Sequence, residues 1–294
     1  MERGYAAVSH GQLHYRTAGE GKAVLLLHQV PLSGWVYEPL AERLAPHHRV
    51  IALDLPGFGL SDPLPGGFEV AGLVGVVIEF LDVLGIDDVR LFGHHTGSTV
   101  AGEIAVLYPD RVAALALSGY PLVREGEWRG SGPGRSEPSL QMDGRKIPVS
   151  DGPASDGGHL WRGWQRAVSL LYQGKGASGV VMLPPENLGV DDLAFIDGYV
   201  LNFLQSLGTA RPTLEAVVRV RPDERLPLLQ VPTLFLQALG PYEVPFCQRG
   251  DELRALVPGS RVASIENGDI HAHRFRADEV AQVLLDFFRE HDGG

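Results

Sequence analysis

Residues 89–100 read VRLFGHHTGSTV, and the order of residue types in this stretch decides the fold. The short apolar run Leu91-Phe92 ends at Gly93, a second glycine follows at Gly97, and the segment STVAGEIAVLYPDRV then takes up helical spacing. A strand that stops and restarts as a helix within a few residues must turn sharply. Glycines on both sides of the turn permit the close backbone approach that it demands. The residue left projecting from the turn is His95.

Working outward, strand-like and helix-like segments alternate. Gln12–Thr17, Val24–Leu27 and RVIALDL (49–55) read as strands, the last stopped by Pro56-Gly57. Residues 37–45, with Leu40 and Leu44 four apart, and residues 70–84 read as helices. VAALALS (112–118) is a strand again, and from Val231 the pattern resumes with VPTLFLQ, a helix near 248–256, SRVASIE and the closing helix DEVAQVLLDFFREH. Continuous apolar strands alternating with helices predict an α/β fold, a mostly parallel central sheet with helices on both faces.

The alternation breaks after Gly119. Residues 120–154 are rich in Gly, Pro, Ser and Arg and read as irregular chain, followed by helical spacing in 159–174, 191–208 and 213–220. The expected organisation is a core of residues 1–120 and 226–294 split by an inserted, largely helical cap of residues 121–225. Such an insertion belongs over the carboxyl ends of the strands, where open α/β sheets bind ligands. Trp161, Trp164 and Tyr172, at helical spacing, would pack the cap and give its inner face an apolar character that favours a hydrophobic small molecule. Arg124, Arg129 and Arg135 read as solvated charges.

Composition excludes several classes of function. A chain of 294 residues with 44% hydrophobic residues can bury a large core. The 25 Lys and Arg against 36 Asp and Glu give a net charge of −11, which argues against a nucleic acid or an anionic membrane as partner. The lone Cys247 can form no internal disulfide, the N-terminus lacks an apolar leader, and no stretch approaches the roughly 20 apolar residues of a bilayer span. The expectation is a cytoplasmic protein without cofactor or metal, with a small-molecule partner and an oligomeric state that the sequence leaves open.

Four segments, in order, resemble the α/β-hydrolase superfamily. LLLHQVPLSGW (25–35) resembles its His-Gly-x-Pro segment, and VIALDLPGFGLSD (50–62) is similar to its Asp-x-x-Gly-x-Gly-x-Ser segment. Residues 91–112 resemble the nucleophile elbow and its helix, and residues 265–288 resemble the loop of the catalytic histidine and the last helix. The resemblance implies that His95 stands at the nucleophile position, that His271 is the catalytic histidine, and that the N–H groups of Val30 and Thr96 form an oxyanion hole. His28 and His94 hold positions where the family commonly has His, and with Gln29, Trp161 and Trp164 they are expected to line the substrate pocket. Asp54 reads as a turn residue that bonds backbone.

The departures from the pattern define the chemistry. The focal residue is an imidazole, Gln29 replaces a glycine beside the oxyanion position, and Pro241 falls where the family's acid is expected; Glu243 and Asp269 are the nearest substitutes. Imidazole is a competent general base near neutral pH. A His95–His271 pair sharing a proton, facing an oxyanion site, suits hydrolysis of an ester or C–C bond in a small organic carbonyl compound by directly activated water. The same pair suits a cofactor-free lyase, isomerase or cyclase. A catalytically inactive ligand-binding homologue is the non-enzymatic alternative.

Overall fold

A computed structural model describes residues 1–122, 139–142, 145–148, 158–174, 189–241, 243 and 247–291. The strands in chain order are β1 (Glu2–Val8), β2 (Gly11–Ala18), β3 (Ala23–Leu27), β4 (Arg49–Leu53), β5 (Val89–His94), β6 (Val112–Ser118), β7 (Ser139–Met142), β8 (Arg145–Pro148), β9 (Thr233–Ala238) and β10 (Arg261–Ile265). The helices are α1 (Glu38–Leu44), α2 (Val70–Val83), α3 (Thr96–Leu107), α4 (Gly158–Gly174), α5 (Val190–Gln205), α6 (Ala210–Val217), α7 (Pro222–Arg225), α8 (Gly250–Leu256), α9 (Ala272–Phe275) and α10 (Ala277–Glu290).

Eight strands form one sheet in the order β1-β2-β4-β3-β5-β6-β9-β10. The first two joints, β1–β2 and β2–β4, are antiparallel and all the others are parallel. The N-terminal strand β1 and the separate antiparallel hairpin β7–β8 are the strands that the apolar pattern did not predict. The reason is visible in β1, whose residues are mostly exposed and carry no apolar run. By contrast every residue of β3 and β5 is buried, because helices cover both faces there.

Alternation along the strands sorts the core into two layers. Leu25, Leu27, Leu91, Leu115 and Leu117 pack with α2 and α3 on one face, while Val24, Leu26, Phe92, Ala114 and Ala116 face α1 and α10 on the other. β6 pairs in parallel with β9, so residues 119–232 are inserted between adjacent strands. Within that insertion α4 and α5 pack on each other, and Val168, Leu171, Phe195, Ile196 and Tyr199 join the second layer. The last predicted helix of the insertion lies a few residues earlier than its periodicity suggested, at Ala210–Val217. Of the stretch read as irregular, most of 120–154, with Arg124, Arg129 and Arg135, lies outside the described residues, as does the Tyr172 side chain. Among the described residues no helix is long and apolar enough to cross a membrane.

Candidate active site

The sheet order reverses between β3 and β5, and a crevice opens at the carboxyl ends of strands flanking such a point. β3 runs out into His28-Gln29-Val30 and β5 into His94-His95, so these residues meet there. The two glycines permit the approach. A Cβ on Gly93 would collide with the Gly97 carbonyl, and one on Gly97 would collide with the carbonyl of Leu27. His95 itself has φ 47° and ψ −112°, a strained conformation that non-glycine residues adopt rarely and mainly at functional sites. Its amide donates to Ser118 O (2.9 Å), and its carbonyl accepts from Ser98 N (2.9 Å) and Ser98 Oγ (2.6 Å).

The His95 side chain is 15% exposed and its Nε2 lies 3.0 Å from Glu243 Oε1 and 3.2 Å from Oε2. The Glu243 side chain is fully buried. Since the carboxylate accepts, Nε2 carries the proton of the neutral ring and the lone pair sits on Nδ1. Space for this ring is left by Gly119 (φ 55°): a Cβ there would lie 2.6 Å from Cδ2 and 2.8 Å from Nε2 of His95.

The expected His95–His271 pair is therefore replaced by a His95–Glu243 pair. Glu243 had been one of two acids expected to orient His271, and it reaches the residue on the β5–α3 turn instead. His271, only 4% exposed, forms no hydrogen bond with a described residue through either nitrogen. It lies among the rings of Phe195 (6.1 Å between centroids), Tyr199 (6.2 Å) and Phe275 (6.4 Å). Burial, reinforced by the charges of Arg274, Arg166 and His95, pushes its pKa down to about 3, so it is neutral in the working range. The second acid, Asp269, is buried beside Gly240, whose Cβ position its carboxylate would occupy.

His28 and His94 are pins rather than pocket walls. His28 is fully buried; its Nδ1 donates to Gln29 O (3.0 Å) and its Nε2 accepts from Leu55 N (2.9 Å). Burial holds its pKa down to about 4. His94 donates from Nε2 to Ile270 O (2.7 Å) and accepts at Nδ1 from Ser118 Oγ (3.0 Å), which ties β5 to the loop of His271. Its pKa is well below the usual value, first through burial and then through the neighbouring His95 and His273. Gln29 is buried and neither end of its carboxamide meets a described partner. Trp161, expected in the pocket, is 53% exposed and stacks on Trp164 at 5.1 Å; the polar helical surface of α4 carries it outward. Asp54 behaves as read: its carboxylate accepts from the amides of Gly34 (2.8 Å) and Leu60 (3.1 Å) and pairs with His14 (2.8 Å). Burial alone would raise its pKa, but His14 and Arg16 more than offset this and the net shift is downward.

The amides of Val30 and Thr96 donate to no acceptor among the described residues. Thr96 opens α3, and the first N–H groups of a helix have no intrahelical partner. Sequence reasoning passed over Gly119, Ser118 and the aromatic shell of Phe195, Tyr199 and Phe275. The glycine closing LSG at the end of a strand was the one available signal. A ligand atom from each of His94, His95 and Glu243 lies within 4.8 Å of the others, a donor set of the two-His-one-carboxylate type. Both nitrogens of His94 are engaged, so an ion could enter only by breaking its bond to Ser118 or Ile270.

Comparison with known proteins agrees with this architecture. The family model of the alpha/beta hydrolase fold matches residues 22–133. The (E)-2-((N-methylformamido)methylene)succinate hydrolase of Acinetobacter baylyi is 34% identical over 104 residues, 35% of this chain and 40% of that protein. The match thus spans well under half the length of that relative. A 2-hydroxy-6-oxononadienedioate/2-hydroxy-6-oxononatrienedioate hydrolase of Pseudomonas putida is 28% identical over 95% of this chain and 92% of its own length. Among solved structures, a meta-cleavage product hydrolase from Pseudomonas fluorescens superposes with a TM-score of 0.71 at 19% identity, covering 98% of this chain and 97% of that one.

Proposed function

We propose that this chain, which has the α/β-hydrolase fold, is a cofactor-free hydrolase that cleaves an ester or C–C bond in a small organic carbonyl substrate. His95 is the general base. The observation that carries the reading is the Nε2–carboxylate contact of 3.0 Å between His95, on the strained turn, and buried Glu243. A carboxylate on one nitrogen fixes the tautomer and stabilises the imidazolium that forms when the other takes a proton. Here the imidazole occupies the nucleophile's own position, so the group it deprotonates is water. Nδ1 takes the proton, the hydroxide adds to the carbonyl carbon, and the oxyanion is held by the amides of Val30 and Thr96. Collapse breaks the bond to the leaving group, which takes the proton back from His95. His271, neutral and walled by aromatic rings, is a polar face of the chamber rather than the second proton carrier. Residues 121–225 act as a cap over the strand ends, and the protein works in the cytoplasm. Hydrolases among the relatives support the reaction class.

The test is turnover of a panel of activated esters and vinylogous diketones by wild type, His95→Ala, Glu243→Gln and His271→Ala, with free imidazole alongside. Saturable turnover abolished in His95→Ala and strongly reduced in Glu243→Gln is the expected result. Turnover no faster than the imidazole background, or unaffected by His95→Ala, overturns the reading.

A further inference from the structure

A buried guanidinium without an anion is a costly arrangement unless something supplies the charge. Arg274, three residues after His271 on α9, is half-buried and approaches that state: Glu38 is the carboxylate whose charge bears on it, and the two form no ion pair. Its guanidinium lies 4.4 Å from the ring centre of Trp35 and 5.4 Å from that of Phe195. Its Nη1 is buried and meets no hydrogen-bond acceptor among the described residues, and Arg274 forms no ion pair with any of them. Stacking uses the flat face of the group and leaves its edge, with the N–H donors, free for an acceptor lying in the same plane.

What the edge can reach is a pocket of about 490 Å³ between α1, α4, α5 and α9, walled by Pro39, Leu171, Phe195 and Phe275, with Arg274 in its lining. Two of these walls, Phe195 and Phe275, are also ring neighbours of His271. A second cation stands by: the charge of Arg166 on α4 bears on Tyr199, itself against His271, and with that of Arg274 it bears on His271. The acids at the pocket, Asp191 and Asp192, belong to the first turn of α5. Asp191 is exposed, and Asp192 accepts from Gly189 N at 3.2 Å.

We propose that Arg274, assisted by Arg166, binds a carboxylate of the substrate in this pocket, so that the preferred substrates are carbonyl compounds with a free carboxylate on an otherwise apolar chain. The assignment rests on the reading of the His95 chamber as a hydrolytic site, with the pocket as its extension. The planar two-oxygen acceptor matches the guanidinium edge, and the aromatic and aliphatic walls take the chain.

Two esters of equal acyl length, p-nitrophenyl hemiglutarate and p-nitrophenyl valerate, test this by the ratio of their kcat/KM values. Wild type is expected to favour the anionic ester. Arg274→Gln is expected to lower that ratio about 10–100-fold, the cost of one charged hydrogen-bond pair, mainly through KM. Arg166→Gln lowers it less, and Arg274→Lys restores part of it. A ratio unchanged in both Gln variants overturns the assignment while leaving the hydrolase reading intact. Thermal stabilisation by glutarate against glutaramide, measured in wild type and in His95→Ala, needs no turnover. Stabilisation by glutarate alone that disappears in Arg274→Gln supports the carboxylate site even if no ester is cleaved. Equal response to glutarate and glutaramide, or none to either, overturns it.

Discussion

Gly119→Ala isolates the part of the site that depends on placing the imidazole. Gly119 has φ 55°, and an alanine in that left-handed region costs about 1–2 kcal/mol. The new methyl would lie 2.6 Å from Cδ2 and 2.8 Å from Nε2 of His95, roughly 0.6–0.8 Å inside ordinary van der Waals contact. The ring is rigid and its backbone is pinned by Ser118 and Ser98, so it must swing about its side-chain bonds. A movement of that size stretches the 3.0 Å contact with Glu243 to roughly 3.6 Å or more, where it is no longer a hydrogen bond. Gly85→Ala is the matched control, since Gly85 has φ 64° with nothing within 4 Å of the Cβ position. Both variants should lose about 1–2 kcal/mol in urea unfolding, with Gly119→Ala at least as much as Gly85→Ala. In ester turnover, only Gly119→Ala should lose kcat, by about 10- to 100-fold, part of the 10²–10⁴ that a positioned general base contributes. Wild-type kcat in Gly119→Ala, at equal loss of stability in the two variants, would refute the argument that this glycine makes room for a working base.

Three further outcomes follow from the same geometry. Glu243→Gln should lower kcat about 10²-fold or more with little change in KM, because it keeps the packing but removes the charge that favours the imidazolium; a change confined to KM would assign Glu243 to binding instead. The second outcome concerns acid stability: His28, His94, His271 and His273 have folded pKa values at about 4, well below 6.5, at about 3 and well below 6.5 respectively. The unfolded chain therefore binds protons at these positions as the pH falls through 6.5, while the folded chain does not. The stability they confer is complete above pH 6.5 and is lost as the pH falls toward 4. Each contributes about 1.4 kcal/mol per pH unit inside that window, so urea unfolding between pH 6 and 5 should report uptake of several protons, and uptake of one or fewer would contradict the buried neutral cluster. Finally, incubation with EDTA or 1,10-phenanthroline should leave turnover unchanged, since His94 commits both nitrogens to Ser118 and Ile270; loss restored by added zinc would make His94, His95 and Glu243 ligands.

Much of the scaffold is legible in the residue order. The unbroken apolar runs of β3, β5 and β6 can exist only where both faces of a sheet are covered, and the alternation with helices then leaves a parallel sheet as the economical solution. Gly93 and Gly97 announce the turn that presents His95, because nothing larger fits against Gly97 and Leu27. β1 escaped, since an exposed strand held by backbone pairing needs no apolar signature, and the β7–β8 hairpin escaped with it.

The partnership at the centre of the site belongs to the tertiary structure. The sequence reading named both Glu243 and His271, but which of them touches His95 depends on where their loops return over the ends of β5 and β6. The pin from His94 to Ile270 and the gap at Gly119 settle it: the carboxylate reaches the imidazole of the turn, and His271 is left among Phe195, Tyr199 and Phe275. Local spacing encodes what a residue does to its own segment, such as ending a strand or starting a helix. A contact of 3.0 Å between residues 148 apart is set by the packing of every element between them, and no short stretch of the chain contains it.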